Sequence, residues 1–283
     1  MDRTDKILAR IPDGGRILEF GPSFAPVVPK AVRENVFTLD HGDQSELRAK
    51  YEPLGVDISK IEPVDFVWRG GPIDEAIPRE LHGTFDAVIA SHVLEHIPDP
   101  IRFFQSVGVL LKDGGVLSLA NPDQRYCFDL LKPTTTSADL LEAYELKRDR
   151  HTRKALHYLN YFSVNNNGAG VWGVGDTIGE LTLNNPALGY IPPQPGEDDV
   201  YTDCHAWFFT PSSFALIVLE LSALGLVPFK TEDMFEPWGC EFYASLVKGP
   251  GPDPSAIAAQ RLELHHGMRE EMQAQIETWA RTR

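Results

Sequence analysis

The 283-residue chain is poor in cysteine, in positive charge and in long apolar runs, and each shortage narrows what it can be. Its three cysteines, Cys127, Cys204 and Cys240, are far apart, odd in number and without a CxxC pair. That argues against a disulfide framework and a cysteine-based zinc site, and it fits a reducing cytoplasm. No stretch of about 18 apolar residues exists, which rules out a membrane-spanning helix. The opening Met1-Asp2-Arg3-Thr4-Asp5-Lys6 lacks the apolar segment of a secretory signal. Only 26 Lys and Arg stand against 41 Asp and Glu, a formal charge of −15. So acidic a surface argues against a nucleic-acid or anionic-membrane binder. Internal repeats and low-complexity tracts are also lacking. What remains is the profile of a soluble cytoplasmic enzyme, long enough for one large α/β domain or two small ones.

Strand-like and helix-like segments alternate through the first 122 residues. Arg16–Phe20 is a short apolar run that breaks at Gly21-Pro22-Ser23. Val36–Leu39, Asp65–Trp68 and Phe85–Ala90 are further short strands. A helix is expected over Pro100–Leu111, stopped by Lys112-Asp113-Gly114-Gly115 and followed by a fifth strand, Val116–Ala120. Short apolar strands separated by helices imply an α/β fold with a mostly parallel sheet covered on both faces. Residues 124–205 break the rhythm. Ser137–Leu159 has a helical pattern, and Asn/Gly-rich and Pro-rich stretches follow it, so the segment is expected to be an insertion covering the active edge. Thr210 and Pro211 open another helix running through Leu224. Strands over Leu226–Thr231 and Cys240–Val247 come next. Residues 251–283 are expected to be a C-terminal amphipathic helix, with Ile257, Leu264, Met268, Met272, Ile276 and Trp279 on its apolar stripe. That stripe either packs on its own domain or makes a homodimer. The remaining parts, 1–123 and 206–250, form the main domain.

Ligands of open α/β sheets bind at the carboxyl ends of the strands. A pyrophosphate there needs a glycine-rich loop facing its charge. The loop after the first strand instead has a single glycine, Gly21, and a carboxylate, Glu19, just before it. A carboxylate repels phosphate and attracts an ammonium or sulfonium group. Asp40, about 20 residues later at the end of the second strand, suits ribose hydroxyls. A nucleoside with a cationic, phosphate-free tail fits both acids, and S-adenosylmethionine is such a molecule. An NAD-dependent enzyme is disfavoured by the same loop.

The segment Phe85-Asp86-Ala87-Val88-Ile89-Ala90-Ser91-His92-Val93-Leu94-Glu95-His96-Ile97-Pro98-Asp99-Pro100 resembles the fourth-strand signature of class I S-adenosylmethionine-dependent methyltransferases. Phe103–Asp123 is similar to their next helix, Gly-Gly turn and fifth strand. Glu19-Phe20-Gly21 matches their first motif and Asp40 their second-strand acid. The resemblance covers residues 15–123 well and the last two strands moderately. It implies a Rossmann-like seven-stranded sheet in the order 3-2-1-4-5-7-6 with strand seven antiparallel. It also implies that Glu19 lies near the methionine amino group, that Gly21, Pro22 and Ser23 form the close loop, and that Asp40 takes the ribose. By the same likeness His41 lies next to the adenine, and Ser91 and His92 line the methionyl side. The family often carries an Asp after strand three; here Trp68-Arg69-Gly70-Gly71 stands in that region, so a backbone contact, Trp68 or Asp74 must serve the adenine. A narrower likeness joins Asn121–Asp129 and Tyr201–Phe214 to bacterial methyltransferases encoded beside glycosyltransferases in surface-glycan pathways. It implies a sugar acceptor.

A hydroxyl acceptor needs a base within hydrogen-bond reach. His205 is the candidate, with Asp203 two residues earlier on the same face of an extended segment, placed to orient the imidazole. Its alternative is a structural histidine beneath the insertion. Asp123 and Tyr126, just after strand five, are further acceptor-site candidates. His96 is read as fixing a helix start or lining the cofactor pocket, with a base role as the alternative. Adjacent His265 and His266 point apart, and His151 and His157 are poorly spaced for chelation, so no metal site is expected. From Ala155 to Phe229 there is no Lys or Arg, while aromatics are dense. These rings either stack on a sugar or form the insertion's own core. Lys147, Arg148, Arg150, Arg153 and Lys154, placed on one expected helix, are either a solvated face or a grip for the diphosphate of a nucleotide- or lipid-linked sugar. A catalytically silent S-adenosylmethionine-binding module and a small-molecule O-, N- or C-methyltransferase of other metabolism are the alternatives in function.

Overall fold

The computed structural model describes residues 1–185, 188–189 and 201–280. The Pro-rich stretch at 192–196, with Tyr190, Glu197, Asp198 and Asp199, lies outside the described residues. In chain order the strands are β1 (Ile17–Phe20), β2 (Val36–Asp40), β3 (Phe66–Val67), β4 (Phe85–Ser91), β5 (Leu111–Pro122), β6 (Ser163–Val164), β7 (Thr182–Leu183), β8 (Phe229–Trp238) and β9 (Glu241–Lys248). β6 and β7 pair apart as a small ribbon. The other seven form one sheet in the order β3-β2-β1-β4-β5-β9-β8. Numbered among themselves, those seven run 3-2-1-4-5-7-6, as expected, and β9 alone of the seven runs against the rest.

Alternation along the strands sends side chains to two faces. Leu18, Val88, Ala90, Leu117 and Leu119 join the larger core. Helices α3 (Pro100–Leu110) and α6 (Pro211–Ala223) cover it with Ile101, Phe104, Val107, Phe214, Ile217 and Leu221. Ile17, Ala87, Ile89 and Val116 face the other way, against Ile7 of α1 (Arg3–Leu8) and Tyr243, and α2 (Gln44–Tyr51) follows β2. Asp99 caps α3 by accepting the Arg102 N–H at 3.0 Å, and Pro100 occupies the first turn. Gly108 allows the close approach of α3 to the chain before β8: a Cβ there would lie 2.5 Å from Pro228 Cγ.

Three expectations change in detail. β5, β8 and β9 are longer than, or shifted from, the runs read in the sequence, because edge pairing extends them past their apolar centres. The helix expected over Ser137–Leu159 is broken into α4 (Ser137–Glu145) and α5 (Arg153–His157). Lys147 adopts φ +49°, its N–H reaching Tyr144 O and the Arg148 N–H reaching Ala143 O, which closes α4 with a Schellman turn. The basic residues therefore sit on a turn and a second helix, not along one face. The terminal helix, α7, begins at Ile257 and runs to Ala280. It packs on α6, where Glu271 accepts the Ser212 N–H at 3.0 Å and Arg261 meets Glu220 at 2.7 Å. Met272, Ile276 and Trp279 of its expected apolar stripe remain exposed.

Candidate functional site

The carboxyl ends of β1, β2, β3 and β4 bring Glu19, Asp40, Trp68 and Ser91 to one edge of the sheet. Both acids are buried. Glu19 accepts the N–H groups of Val27 (2.6 Å) and Val28 (3.1 Å). Burial pushes its carboxyl up, against the pull of those two bonds, to about 7. Asp40 Oδ2 accepts the N–H (2.9 Å) and hydroxyl (3.3 Å) of Ser23, while Oδ1 accepts the His41 N–H at 2.8 Å. The His41 ring also lies 2.7 Å from Oδ1. The intervening loop keeps a left-handed bend at Gly21 (φ +69°) and again at Ser23 (φ +47°), where no glycine stands.

The residues expected around the adenine are mutually engaged. Trp68 packs edge-on against Phe20 and donates its indole N–H to Gly71 O at 3.0 Å. Arg69 bonds to His41 O at 3.1 Å and to Glu46 at 2.6 Å. Gly70 takes φ +107° in the same turn. Asp74, the fallback for the adenine amino group, is tied to Ser106 at 2.5 Å.

Beyond β4 lies a dense charged cluster. His92, in the left-handed region at φ +53°, bonds Glu241 through Nε2 at 2.6 Å and turns Nδ1 toward Glu95 at 3.4 Å. Burial opposes its charge, but Glu241 and Glu95 outweigh that and push the imidazole up to about 10. Glu241 also receives Arg3 at 2.7 and 2.8 Å, and Arg3 donates to Ser91 Oγ at 2.7 Å. Burial raises the Glu241 carboxyl less than His92 and Arg3 lower it, leaving it at about 2.

Glu95 is 1% exposed, and neither of its oxygens has a hydrogen-bond partner. His96 Nε2 and His205 Nε2 stand 3.9 and 4.0 Å from its Oε1, their rings edge to face at 4.7 Å. Burial pushes Glu95 up, yet His92, His205 and His96 together hold it below the ordinary value.

His205 and Asp203 are not partners of each other. Asp129 Oδ2 meets His205 Nδ1 at 2.6 Å, and Lys132 holds the other Asp129 oxygen at 2.6 Å. Asp203 instead meets His96 Nδ1 at 2.8 Å and accepts the Tyr201 hydroxyl at 3.0 Å. Both dyads are positioned by the end of the insertion, which docks along residues 95–97. The Ala206 N–H reaches Glu95 O at 2.9 Å, and the Trp207 indole N–H reaches Ile97 O at 2.6 Å.

The two residues after β5 lie elsewhere. Asp123 is fully buried with both oxygens held by Arg125, at 2.6 and 2.9 Å, so no acceptor reaches it while that pair is intact. Tyr126 packs on the insertion's own small core of Leu130, Trp172 and Ile178. Phe128 and Phe162 stack at 4.2 Å, with Phe128 tilted against His205. Many of the insertion's aromatics therefore pack among themselves. Arg148, Arg150 and Lys154 line a pocket together with His151, but Arg148 is paired with Glu142 and Lys154 with Asp139.

Asp129, Glu241, Glu95 and Arg3 escape the sequence reading. The His92-x-x-Glu95-His96 spacing was a usable signal for Glu95. Nothing local marks the other three.

A family model described as a methyltransferase domain matches residues 1–166. Over 46 residues the chain is 44% identical to the ubiquinone biosynthesis O-methyltransferase of Xanthomonas campestris pv. campestris strain B100, covering 16% of this chain and 19% of that protein. The chain thus spans about a fifth of the length of the curated relatives it matches. Among solved structures, a SAM-dependent methyltransferase from Aquifex aeolicus aligns at 13% identity and a TM-score of 0.42, over 87% of this chain and 89% of that one. One from Mesorhizobium loti aligns at 16% identity and a TM-score of 0.42, over 87% and 98%.

Proposed function

The chain belongs to the methyltransferase domain family, and from that premise we propose that it methylates a hydroxyl of a small acceptor, a sugar in surface-glycan assembly, using S-adenosylmethionine. The donor, when bound, supplies a methyl group on a positively charged sulfur, so the acceptor needs alignment and somewhere to leave its proton.

The residues present fit that donor. A carboxylate offers about four lone-pair sites. Glu19 uses two on the main chain of Val27 and Val28, leaving two for the ammonium of the methionine moiety. On Asp40 two partners are main-chain N–H groups and two are side chains, the Ser23 hydroxyl and the His41 ring. A ribose diol takes the places of the side-chain pair and leaves the loop's backbone anchored. Trp68, Arg69 and Gly70 frame the adenine end, and Ser91 and His92 the methionyl end.

The observation that carries an oxygen acceptor is the 2.6 Å contact between His205 Nδ1 and Asp129. A carboxylate on Nδ1 fixes the ring and leaves the lone pair on Nε2, the arrangement of an oriented general base. The His205 side chain is 12% exposed, and its Nε2 faces the Glu95 carboxylate at 4.0 Å. Asp123, with both oxygens held by Arg125, and Tyr126, whose ring packs on the insertion's small core, take no part in the chemistry in this reading. The sugar assignment rests on the acidic, aromatic-rich insertion without Lys or Arg from Ala155 to Phe229. The 46-residue match favours a second acceptor, one of the ubiquinone-biosynthesis kind.

Calorimetric titration with S-adenosylhomocysteine, with NAD as control, tests the donor site. Micromolar binding of the first alone, weakened by both Glu19→Ala and Asp40→Ala, is expected. In an acceptor screen begun with nucleotide-sugars, His205→Asn should lower kcat by about 10²- to 10⁴-fold and leave S-adenosylhomocysteine binding intact. A folded protein that binds neither ligand, or turnover indifferent to His205, refutes the proposal.

A further inference from the structure

Three side chains beyond β4, Glu95, His96 and His205, converge on one another. Glu95 is buried and makes no side-chain hydrogen bond of normal geometry; Oε2 is met by nothing among the described residues, and the His92 imidazole, 3.4 Å from Oε1, offsets part of the cost of that carboxylate. Two imidazoles turn their Nε2 atoms toward it, at 3.9 and 4.0 Å. All three donor atoms lie within 4.8 Å of one another. Each imidazole is held on its far side by a carboxylate, Asp203 on His96 and Asp129 on His205. A carboxylate on Nδ1 is what fixes a metal-ligating histidine, because it keeps the proton there and presents the Nε2 lone pair. Hydrogen bonding alone accounts for one such pair; it does not account for two that converge on a buried carboxylate whose contact to His92 Nδ1, at 3.4 Å, leaves Oε2 unmet.

We propose that Glu95, His96 and His205 bind a divalent transition-metal ion. Two imidazoles and one carboxylate suit the manganese-to-zinc series, whereas magnesium and calcium favour all-oxygen sets and no thiolate faces the cluster. Bond lengths of about 2.0–2.2 Å put neighbouring donors of a tetrahedral ion about 3.3 Å apart, so the present spacings of 3.9 Å and more contract when an ion binds. His96 and His205 are 29% and 12% exposed on their side chains, which gives the ion an entry path and leaves an open coordination position. His92 cannot serve through Nε2, which Glu241 occupies.

An acceptor oxygen at that open position rests on the methyl-transfer reading above; metal binding does not. With an ion in place the His205 lone pair would be a ligand instead of a base; the ion would lower the pKa of a coordinated hydroxyl, whose proton would pass to solvent water at the exposed side of His96.

The test uses the full chain, stripped with a chelator and titrated with cobalt(II) and zinc(II) by calorimetry and visible absorption. One equivalent should bind at micromolar or tighter Kd, with cobalt d–d bands of four- or five-coordination. Glu95→Gln and His205→Asn should each weaken binding at least about 100-fold, and Asp129→Asn about 10- to 100-fold. The exposed control His265→Asn should leave it unchanged. Because these buried substitutions also threaten folding, copper(II)-loaded wild type should show spin-echo modulation from the remote nitrogens of two imidazoles. A folded wild type that binds no cobalt below about 100 μM, an unchanged affinity in Glu95→Gln, or fewer than two coupled imidazoles overturns the site. None of these readings needs turnover or S-adenosylhomocysteine binding, so failure of the metal site and failure of the methyl-transfer reading are separately visible.

Discussion

Replacing Glu19 with Gln should change the slope of stability against pH. Glu19 is 2% exposed, and burial lifts its carboxyl from an ordinary 4.5 to about 7. Between those values the native chain holds a proton that the unfolded chain has released. Native protein therefore binds more protons, and unfolding free energy falls as pH rises, by about 1.36 kcal/mol per unit. Integrated from pH 4.5 to 7 the loss is about 3 kcal/mol, and above pH 7 it levels off. Gln cannot ionise, so it removes that slope. It also meets two N–H donors with one carbonyl and an amide, losing a bond at every pH, which shifts its curve without tilting it. Urea unfolding of both proteins at pH 5, 6, 7 and 8, followed by tryptophan fluorescence, isolates the effect, because groups common to both cancel in the difference. Wild type should lose about 2.5 kcal/mol relative to Glu19→Gln across that range. A difference that stays flat, or that moves in favour of wild type with rising pH, refutes the raised carboxyl.

Gly108→Ala drives a methyl into Pro228 where the chain leaves α6 for β8, and it should cost about 1–3 kcal/mol in urea unfolding; an unchanged midpoint would show that the contact yields freely. Asp123→Ala strips a buried Arg125 of its partner and should destabilise by about 3–5 kcal/mol. If Asp123 were instead a catalytic base, the variant would keep its stability and lose turnover alone. Glu241→Gln should bring the His92 titration down from about 10, as followed by NMR of the imidazole protons, since one of the two carboxylates sustaining its charge is gone. A His92 that still titrates above pH 9 in the variant would assign its charge to Glu95 instead.

The sheet was legible because each strand is a short apolar run stopped by Gly, Pro or a polar residue, and the strand ends then locate Glu19 and Asp40 with no further information. The cluster after β4 was only half legible. His96 and His205 stand out as residue types, but their orienting acids depend on contacts between residues 107 and 76 positions apart. Asp203 and His205 do share a face, as an extended segment requires, and both turn toward His96. Proximity in sequence then misassigned the partner: Asp129, arriving from the turn after β5, is better placed for His205 Nδ1 than its near neighbour is. Ser23 illustrates the opposite limit. Its left-handed backbone, held by Asp40, supplies a bend that the residue type does not advertise. The broken helix at Lys147 failed for the same reason, since a Schellman turn with a lysine at the left-handed position has no sequence mark.

The ion pair between Arg3 and Glu241 closes a loop of 238 residues at the edge of the site. Because β9 runs against the other strands, its first residue sits at their carboxyl ends, where the opening helix can grasp it. Fraying of α1 and release of the His92–Glu241 contact are thereby one linked event, so whatever occupies the site must also hold the first turn of the chain in place. Hydrogen exchange at the α1 amides should slow when the site is filled, by the factor through which ligand lowers the population of the open form.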